Sequence, residues 1–322
     1  MLVSVIVPTR NRPKELRVAL AAIARQTYVS YEAIIVDDSP DPDVARDNEA
    51  ASQEFGDAFR YIHTGNDDAR GSGPAHVRNR GVRHAQGELV AFCEDDDYWC
   101  DERHLEIAVR AFSDDPSIDL VFANQEARRL GALLYATWLP NMVRSLPTAS
   151  LRPDAFVPLS KISCLLDNFP HLNSCVLRRS LCERIGGFWE AVWFWEDLDF
   201  FLRALDAARG VGYRHATVAV HNVPDRSVAH GGNVSTAVDE RGKQLSAIRV
   251  AEHVLQGCTT PEVMAYVRRF GGNGYRWLAM DARQRLQYSE AARFASCALV
   301  LRSTWKWRAY TLFLQGRSLI RF

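Results

Sequence analysis

Two clusters of carboxylates carry the chemistry this sequence can do. The first is Glu94, Asp95, Asp96 and Asp97, four consecutive acids that follow the apolar run 89–92 and precede Tyr98 and Trp99. An apolar run that stops in acids reads as a buried strand with carboxylates at its C-terminal end, the edge where open α/β sheets bind ligands. Four carboxylates this close repel one another, so such a site favours a cation. Hard oxygen donors suit Mg²⁺ or Mn²⁺ with a phosphate as co-ligand; a solvated acidic turn is the plain alternative. The second cluster is Glu196 and Asp197, at the start of a segment in which Leu198, Phe201, Leu202 and Leu205 recur with helical period. Acids at a helix N-terminus cap it and are favoured by its dipole, so position alone assigns them no further role.

The elements that must hold the first cluster are legible. Residues 3–7 (VSVIV) form a short β-branched run, the mark of a buried parallel strand. Strands are expected again at 32–36 and 59–63, and helices at 13–26, 41–54 and 74–85, the first supported by Pro13 at its opening position. Strand and helix alternate three times before the acidic strand, which predicts a parallel, right-handed, doubly wound sheet. Its strand ends, Thr9-Arg10-Asn11, Asp37-Asp38 and Glu94 to Asp97, collect along one edge and form one pocket. Neither a Gly-x-Gly-x-x-Gly fingerprint nor a Walker A sequence occurs, which disfavours dinucleotide and P-loop sites. A carboxylate after the second strand suits a ribose hydroxyl or a base imide N–H, since it accepts from both.

The 322 residues suffice for one large domain with an extension or for two domains, and the 47% apolar content is globular. Zero net charge hides an asymmetry. Residues 241–322 hold 14 of the 39 Lys and Arg but 4 of the 39 Asp and Glu. A basic tail on an acidic body suggests a membrane surface or a phosphorylated acceptor, against the alternative of an ordinary basic face. No nucleic-acid partner is expected. Seven cysteines without a Cys-x-x-Cys pair fit neither a disulfide framework nor a zinc site and suit a reducing cytoplasm. The chain starts directly in a strand and has no bilayer-length apolar run, so a cytoplasmic protein is expected, peripheral at most on the inner face of the membrane.

VSVIVPTRNRP, IIVDDSP and VRNRGVRHAQGELVAFCEDDDYW, in that order and spacing, resemble the nucleotide-binding half of family 2 glycosyltransferases. The resemblance covers residues 3–235. It implies a GT-A fold, a nucleotide-sugar donor, a divalent metal and inversion at the anomeric carbon. Pro8, Thr9 and Arg10 match the loop that cradles base and ribose, and Asp37 and Asp38 the acidic pair of which one accepts from the base. Arg78 matches a basic residue facing the donor diphosphate, with Asn79 a weaker candidate. Glu94, Asp95 and Asp96 match the Asp-x-Asp metal motif, although the first position holds Glu. Asp96 is then the direct ligand with Asp97 beside it, and Glu94 and Asp95 belong with the donor nucleotide.

Further along, a helix is expected at 101–112, a strand at 119–124, and a variable loop over the site at 131–167, where Trp138 either stacks on a sugar or anchors the loop. Asn173 and Ser174, in an expected strand at 171–176, are candidates to reach the donor sugar; Asn173, Trp189, which departs from the family pattern Gly-Gly-Phe-Asp-Glu, and Trp195 are the candidate contacts to acceptor or donor sugar. Asp197 becomes the general base that takes the acceptor proton, with Glu196 as its acidic neighbour, while Asp199 faces away or pairs with Arg203. A strand at 213–223 carries His215 and His221. His230 is the candidate to complete the metal site, Gly231-Gly232 supply a flexible closing loop, and Ser235 is a candidate phosphate contact.

Helices are expected at 236–256, 260–270, 273–286, 288–301 and 303–320, with a break at Gly271-Gly272. Residues 1–235 read as the catalytic domain, divided at residue 100 into nucleotide and acceptor halves, and 236–322 as a helical extension. The last helix puts Trp305, Ala309, Leu312, Phe313, Gly316, Leu319 and Ile320 on one face, flanked by Arg302, Lys306, Arg317 and Arg321. That pattern occurs on membrane-surface segments; packing of this face on the catalytic domain or on a second subunit, as in a homodimer, is the reading favoured by sequence. The expected function is transfer of one sugar from a nucleotide-sugar to an acceptor hydroxyl on a glycan, lipid-linked or small-molecule acceptor. A catalytically silent nucleotide-sugar-binding module and a metal-dependent nucleotidyltransferase are the alternatives.

Overall fold

The structure, a computed structural model, describes residues 1–66, 68, 70–224 and 238–319. β1 (Val3–Thr9) is buried along its whole length, as a β-branched run apolar on both faces must be. After it come α1 (Pro13–Ala24), β2 (Tyr31–Asp37), α2 (Pro42–Gln53), β3 (Phe59–His63), α3 (Pro74–His84) and β4 (Leu89–Phe92). All three helices open with Pro in their first turn, where its missing N–H leaves no bond unmade. β1 lies parallel between β2 and β4, and β2 is parallel to β3. Two registers position the site. Thr9 pairs with Asp37, and Ile6 with Phe92, so the ends of β1 and β2 are level and the acids after β4 arrive beside Thr9.

The second half adds β5 (Tyr98–Trp99), α4 (His104–Asp114), β6 (Ile118–Arg129), β7 (Ala132–Tyr135), α5 (Pro140–Ser145), β8 (Val157–Leu159), β9 (Cys175–Arg178), α6 (Arg179–Arg184), α7 (Glu196–Ala207) and β10 (Gly210–Asn222). The strand order is β3-β2-β1-β4-β9-β6-β10-β5, with β7 on β6 and β8 on β10. β9 runs antiparallel to both β4 and β6, so the sheet is mixed and its N-terminal half parallel. β9 starts at Cys175, later than expected, because Asn173 turns inward: its side-chain carbonyl accepts from Glu94 N and its backbone carbonyl from the Trp99 indole. The stretch expected as a loop at 131–167 contains β7, α5 and β8.

Alternate strand residues serve opposite faces, as the two-residue period requires. Val3, Val5, Val7, Ala33 and Ile35 pack with α1 and α4 residues such as Leu20 and Phe112. Ile6, Ile34, Val36 and Phe92 pack with Leu181, Phe200 and Phe201 of α6 and α7.

Among the described residues the remaining helices are α8 (Glu240–Gly257), α9 (Pro261–Gln284), α10 (Tyr288–Leu301) and α11 (Trp305–Leu319). Val250, Val254, Val263 and Val267 of α8 and α9 belong to the same core as Phe92 and Phe200, so the core runs on past residue 235. The expected break at Gly271-Gly272 does not occur. α9 runs through it, and a Cβ on Gly271 would lie 2.5 Å from Ala251 Cβ; glycine here lets α8 and α9 approach closely rather than ending a helix. Ala279, Ala282, Ala291, Ala295 and Leu314 make a second, smaller core. Among the described residues, no helix is long and apolar enough to cross a membrane.

Candidate active site

The ends of β1, β2 and β4 and the start of α7 converge on one open cavity of about 570 Å³. Pro8, Thr9, Arg10, Asp38, Arg78, Glu94, Asp95, Asp96, Trp195, Glu196 and Asp197 line it, so most of the candidates scattered over the sequence meet there. Thr9 Oγ1 donates to Asp95 Oδ2 at 2.8 Å, and Arg10 N donates to the same oxygen at 3.3 Å. Arg12, which the sequence reading passed over, donates from Nη1 to Asp95 Oδ1 at 2.9 Å and Asp96 Oδ2 at 2.7 Å.

Burial pushes Asp95 up to about 6 in spite of Arg12 and Thr9. Burial, then the neighbouring Asp97 and Asp95 charges, push Asp96 up to about 8. Arg12 does not outweigh burial at Asp96, which keeps its proton near neutral pH.

Arg78 is a strut. Its Nε and Nη2 grip both oxygens of Glu94 at 3.0 and 3.1 Å, while Nη1 donates to Glu196 Oε1 at 2.9 Å. Burial disfavours its charge, but Glu94 and Glu196 hold its pKa above the ordinary arginine value. Instead of projecting as a lone cation, it ties the end of β4 to the first turn of α7. Glu196 is raised by burial, against the pull of Arg78. Asp197 accepts from Leu198 N at 2.7 Å, and burial, then Glu196, push it up to about 7. Just before α7, Trp195 sits in the left-handed region at φ 70°, a conformation that costs a non-glycine residue roughly 1–2 kcal/mol. Its ring is held edge-on by Phe169 and Phe270.

Several candidates are directed elsewhere. Asp37 is fully buried away from the cavity wall, accepting from Ser39 N, Ser39 Oγ, Asn48 Nδ2 and Tyr61 OH. Asp38 is the member of the pair at the cavity, its carboxylate held by Thr64 Oγ1, Ser72 N and Ser72 Oγ. Asp97, expected beside the metal, turns under the sheet edge and accepts from Asn173 Nδ2, His221 Nδ1 and Asn222 N. Burial alone would raise it, yet the His221 hydrogen bond and charge hold it low. Asp97, His171 and His221 bring ligand-capable atoms within 4.8 Å of one another, a group separate from the cavity wall, in which Asp97 already accepts from Asn173, His221 and Asn222. Asn173 is therefore a brace behind the acids and not part of the cavity wall. Trp189 stacks on His253 of α8, centroids 4.0 Å apart and planes 11° apart, away from the cavity. Asn79 binds the backbone of Phe188 in both directions. Asp199 pairs with Arg203, as expected, and also meets His253 Nδ1 at 2.6 Å. His230 and Ser235 lie outside the described residues.

Besides Arg12, the cavity wall includes Arg70, Gly73, Trp193 and Phe194, with the Arg70 guanidinium 4.2 Å from the centre of the Trp193 ring. Of these, Trp193 and Phe194 lie in the aromatic run 193–195 directly before Glu196; Arg70 stands apart from every motif.

Residues 4–157 match the family model described as glycosyl transferase family 2. An uncharacterized glycosyltransferase of Haemophilus influenzae is 23% identical over 256 residues, 79% of this chain and 78% of that protein. The Escherichia coli UDP-Glc:alpha-D-GlcNAc-diphosphoundecaprenol beta-1,3-glucosyltransferase WfgD is 31% identical over 98 residues, 30% of this chain and 36% of that protein. The structure of S. aureus TarS 1-349 in complex with UDP-GlcNAc superposes with a TM-score of 0.69 at 18% identity, over 98% of this chain and 88% of that one. The mixed sheet between two helical layers is the one that neighbour shares. Motifs, matched residues and fold thus agree: residues 4–157 belong to glycosyl transferase family 2, and the chain has the GT-A fold of its structural neighbours.

Proposed function

We propose that this chain transfers a single sugar from a nucleotide-sugar, a UDP-sugar in preference to a dTDP- or GDP-sugar, to an acceptor hydroxyl with inversion. The observation that carries this reading is that Asp197, pushed up to about 7, faces the same cavity as Asp38 and the Glu94 to Asp96 wall. A base with a pKa near neutrality is matched to take a proton from a hydroxyl. The UDP-GlcNAc bound in the TarS structure and the UDP-Glc in the name of WfgD support the choice of donor.

In this mechanism Pro8, Thr9 and Arg10 frame the base and ribose, and Asp38 accepts from them. The acceptor oxygen attacks the anomeric carbon as its proton passes to Asp197. The bond from that carbon to the diphosphate oxygen breaks, and its electron pair leaves with the nucleotide. Glu196 and Arg78 hold Asp197 and Glu94 in register across the cavity. The carboxylate oxygens of Asp95 and Asp96 are hard donors and fit Mn²⁺ or Mg²⁺. Bound there, the ion would offset charge growing on the leaving diphosphate.

Calorimetric titration with UDP, GDP and dTDP, each with and without Mn²⁺, tests the reading. Metal-dependent binding of UDP is expected. Absence of binding by all three would refute it and favour a silent module.

A further inference from the structure

α11 is apolar on two faces, and its own protein covers one of them. Leu314 and Thr311 are buried, and Trp307 and Tyr310 pack beside them against Ala279, Ala282 and Ala295; Trp307 Nε1 also donates to Ala295 O. The opposite face carries Trp305, Leu312 and Leu319, seven residues apart and therefore in one line along the helix, with Phe313 beside them. Their exposures are 76%, 68%, 83% and 48%. The face the sequence marks for burial against the rest of the chain is the one turned to solvent.

Its surroundings are basic. Arg302, Lys306 and Arg308 are exposed at the start of the helix, and no Asp or Glu occurs between Ala291 and Leu319. We propose that this face docks on an anionic membrane surface, the helix lying in the interface with Trp305, Leu312, Phe313 and Leu319 against the acyl region and Arg302, Lys306 and Arg308 among the headgroups. The charge pattern selects this occupant. In a symmetric dimer the same patch meets itself, and with no Asp or Glu between Ala291 and Leu319 neither copy's helix supplies an acid for Arg302, Lys306 and Arg308 of the other. A bilayer with acidic headgroups supplies apolar depth and negative charge together. The proposal stands whether or not the pocket transfers sugar. If it does, the docked helix keeps the enzyme where lipid-linked acceptors lie.

The test is sedimentation of the whole chain with vesicles of phosphatidylcholine alone or mixed with phosphatidylglycerol, with hydrogen exchange of residues 305–319 measured on the same samples. Binding confined to the anionic vesicles, weakened by salt and accompanied by protection of 305–319, is expected. Lys306→Gln with Arg308→Gln should weaken binding about 30-fold, at about 1 kcal/mol per basic residue near the surface. Leu312→Gln with Phe313→Gln should abolish it. The hydrogen-exchange readout uses the unaltered chain, so it decides even if a variant folds poorly. Equal binding to both vesicle types, no protection of 305–319, or a dimer in light scattering that the Leu312/Phe313 variant dissolves would each overturn the proposal, the last in favour of a second copy.

Discussion

Arg12 donates from a single nitrogen, Nη1, to Asp96 Oδ2 at 2.7 Å and to Asp95 Oδ1 at 2.9 Å. The guanidinium thus stands where a divalent ion would serve the same two carboxylates. Two unit charges 4 Å apart near a protein surface exchange about 4 kcal/mol. Removing this cation with Arg12→Gln is therefore expected to tighten Mn²⁺ binding at least about tenfold, about 1.4 kcal/mol. Calorimetry with Mn²⁺ alone reads this. Weaker metal binding in the variant would mean that Arg12 organises the site instead of competing for it.

Asp197→Asn should keep UDP affinity within about twofold and lower kcat by about 10²–10⁴, the usual contribution of a positioned base. With Asp197 pushed up to about 7, kcat/KM of the unaltered enzyme should rise with pH up to about 7 and level off above, as the carboxylate loses its proton. Turnover retained in the variant would remove Asp197 from the mechanism.

Arg78→Met should destabilise the fold by about 3–5 kcal/mol, because it strands two carboxylates in a buried setting; the side chains of Arg78 and Glu196 are 8% and 9% exposed. Adding Glu196→Gln should recover part of that loss, since one stranded charge disappears. Urea unfolding of both variants checks this, and two additive losses would show that the pair is not coupled.

The protein without metal should be more stable at pH 6.5 than at pH 8.5. Asp96, at about 8, and Asp197, at about 7, have folded values above an ordinary carboxyl. The folded chain therefore binds more protons than the unfolded one in this window, and stability falls as pH rises through those values. Below pH 6.5 buried His104 and His171, lowered to about 3 and about 4 mainly by burial, oppose the trend and flatten it: both stay neutral in the fold and must charge in the unfolded chain as pH falls. Melting temperatures in chelator should fall from pH 6.5 to pH 8.5 and change less steeply below pH 6.5, and Mn²⁺ should raise the melting temperature most at pH 8.5. A melting temperature that climbs steadily to pH 8.5 would contradict the raised Asp96.

The sequence by itself determined the elements and the edge on which chemistry gathers. Period and punctuation are local: VSVIV, short, β-branched and stopped by Pro8, favours a buried strand, Pro13, Pro42 and Pro74 start helices, and an apolar run ending in Glu94 to Asp97 delivers acids to a strand end. The motif order was equally local, and it was enough to name the family. Tertiary structure decided which way each acid and ring faces, because that depends on partners far along the chain. Asp37 and Asp38 are neighbours, yet Asn48 and Tyr61 draw one inward while Ser72 holds the other at the cavity. Asp97 is separated from Asp96 by His221 and Asn222, more than 120 residues away. Trp189 was claimed by His253, and Gly271 by its approach to Ala251. Arg12 gave no signal in its own neighbourhood, because its carboxylate partners are more than 80 residues away. The periodicity of α11 identified an apolar face but not what it meets; with Leu314 facing α9 and α10, a helix of fixed pitch could only turn Trp305, Leu312 and Leu319 outward.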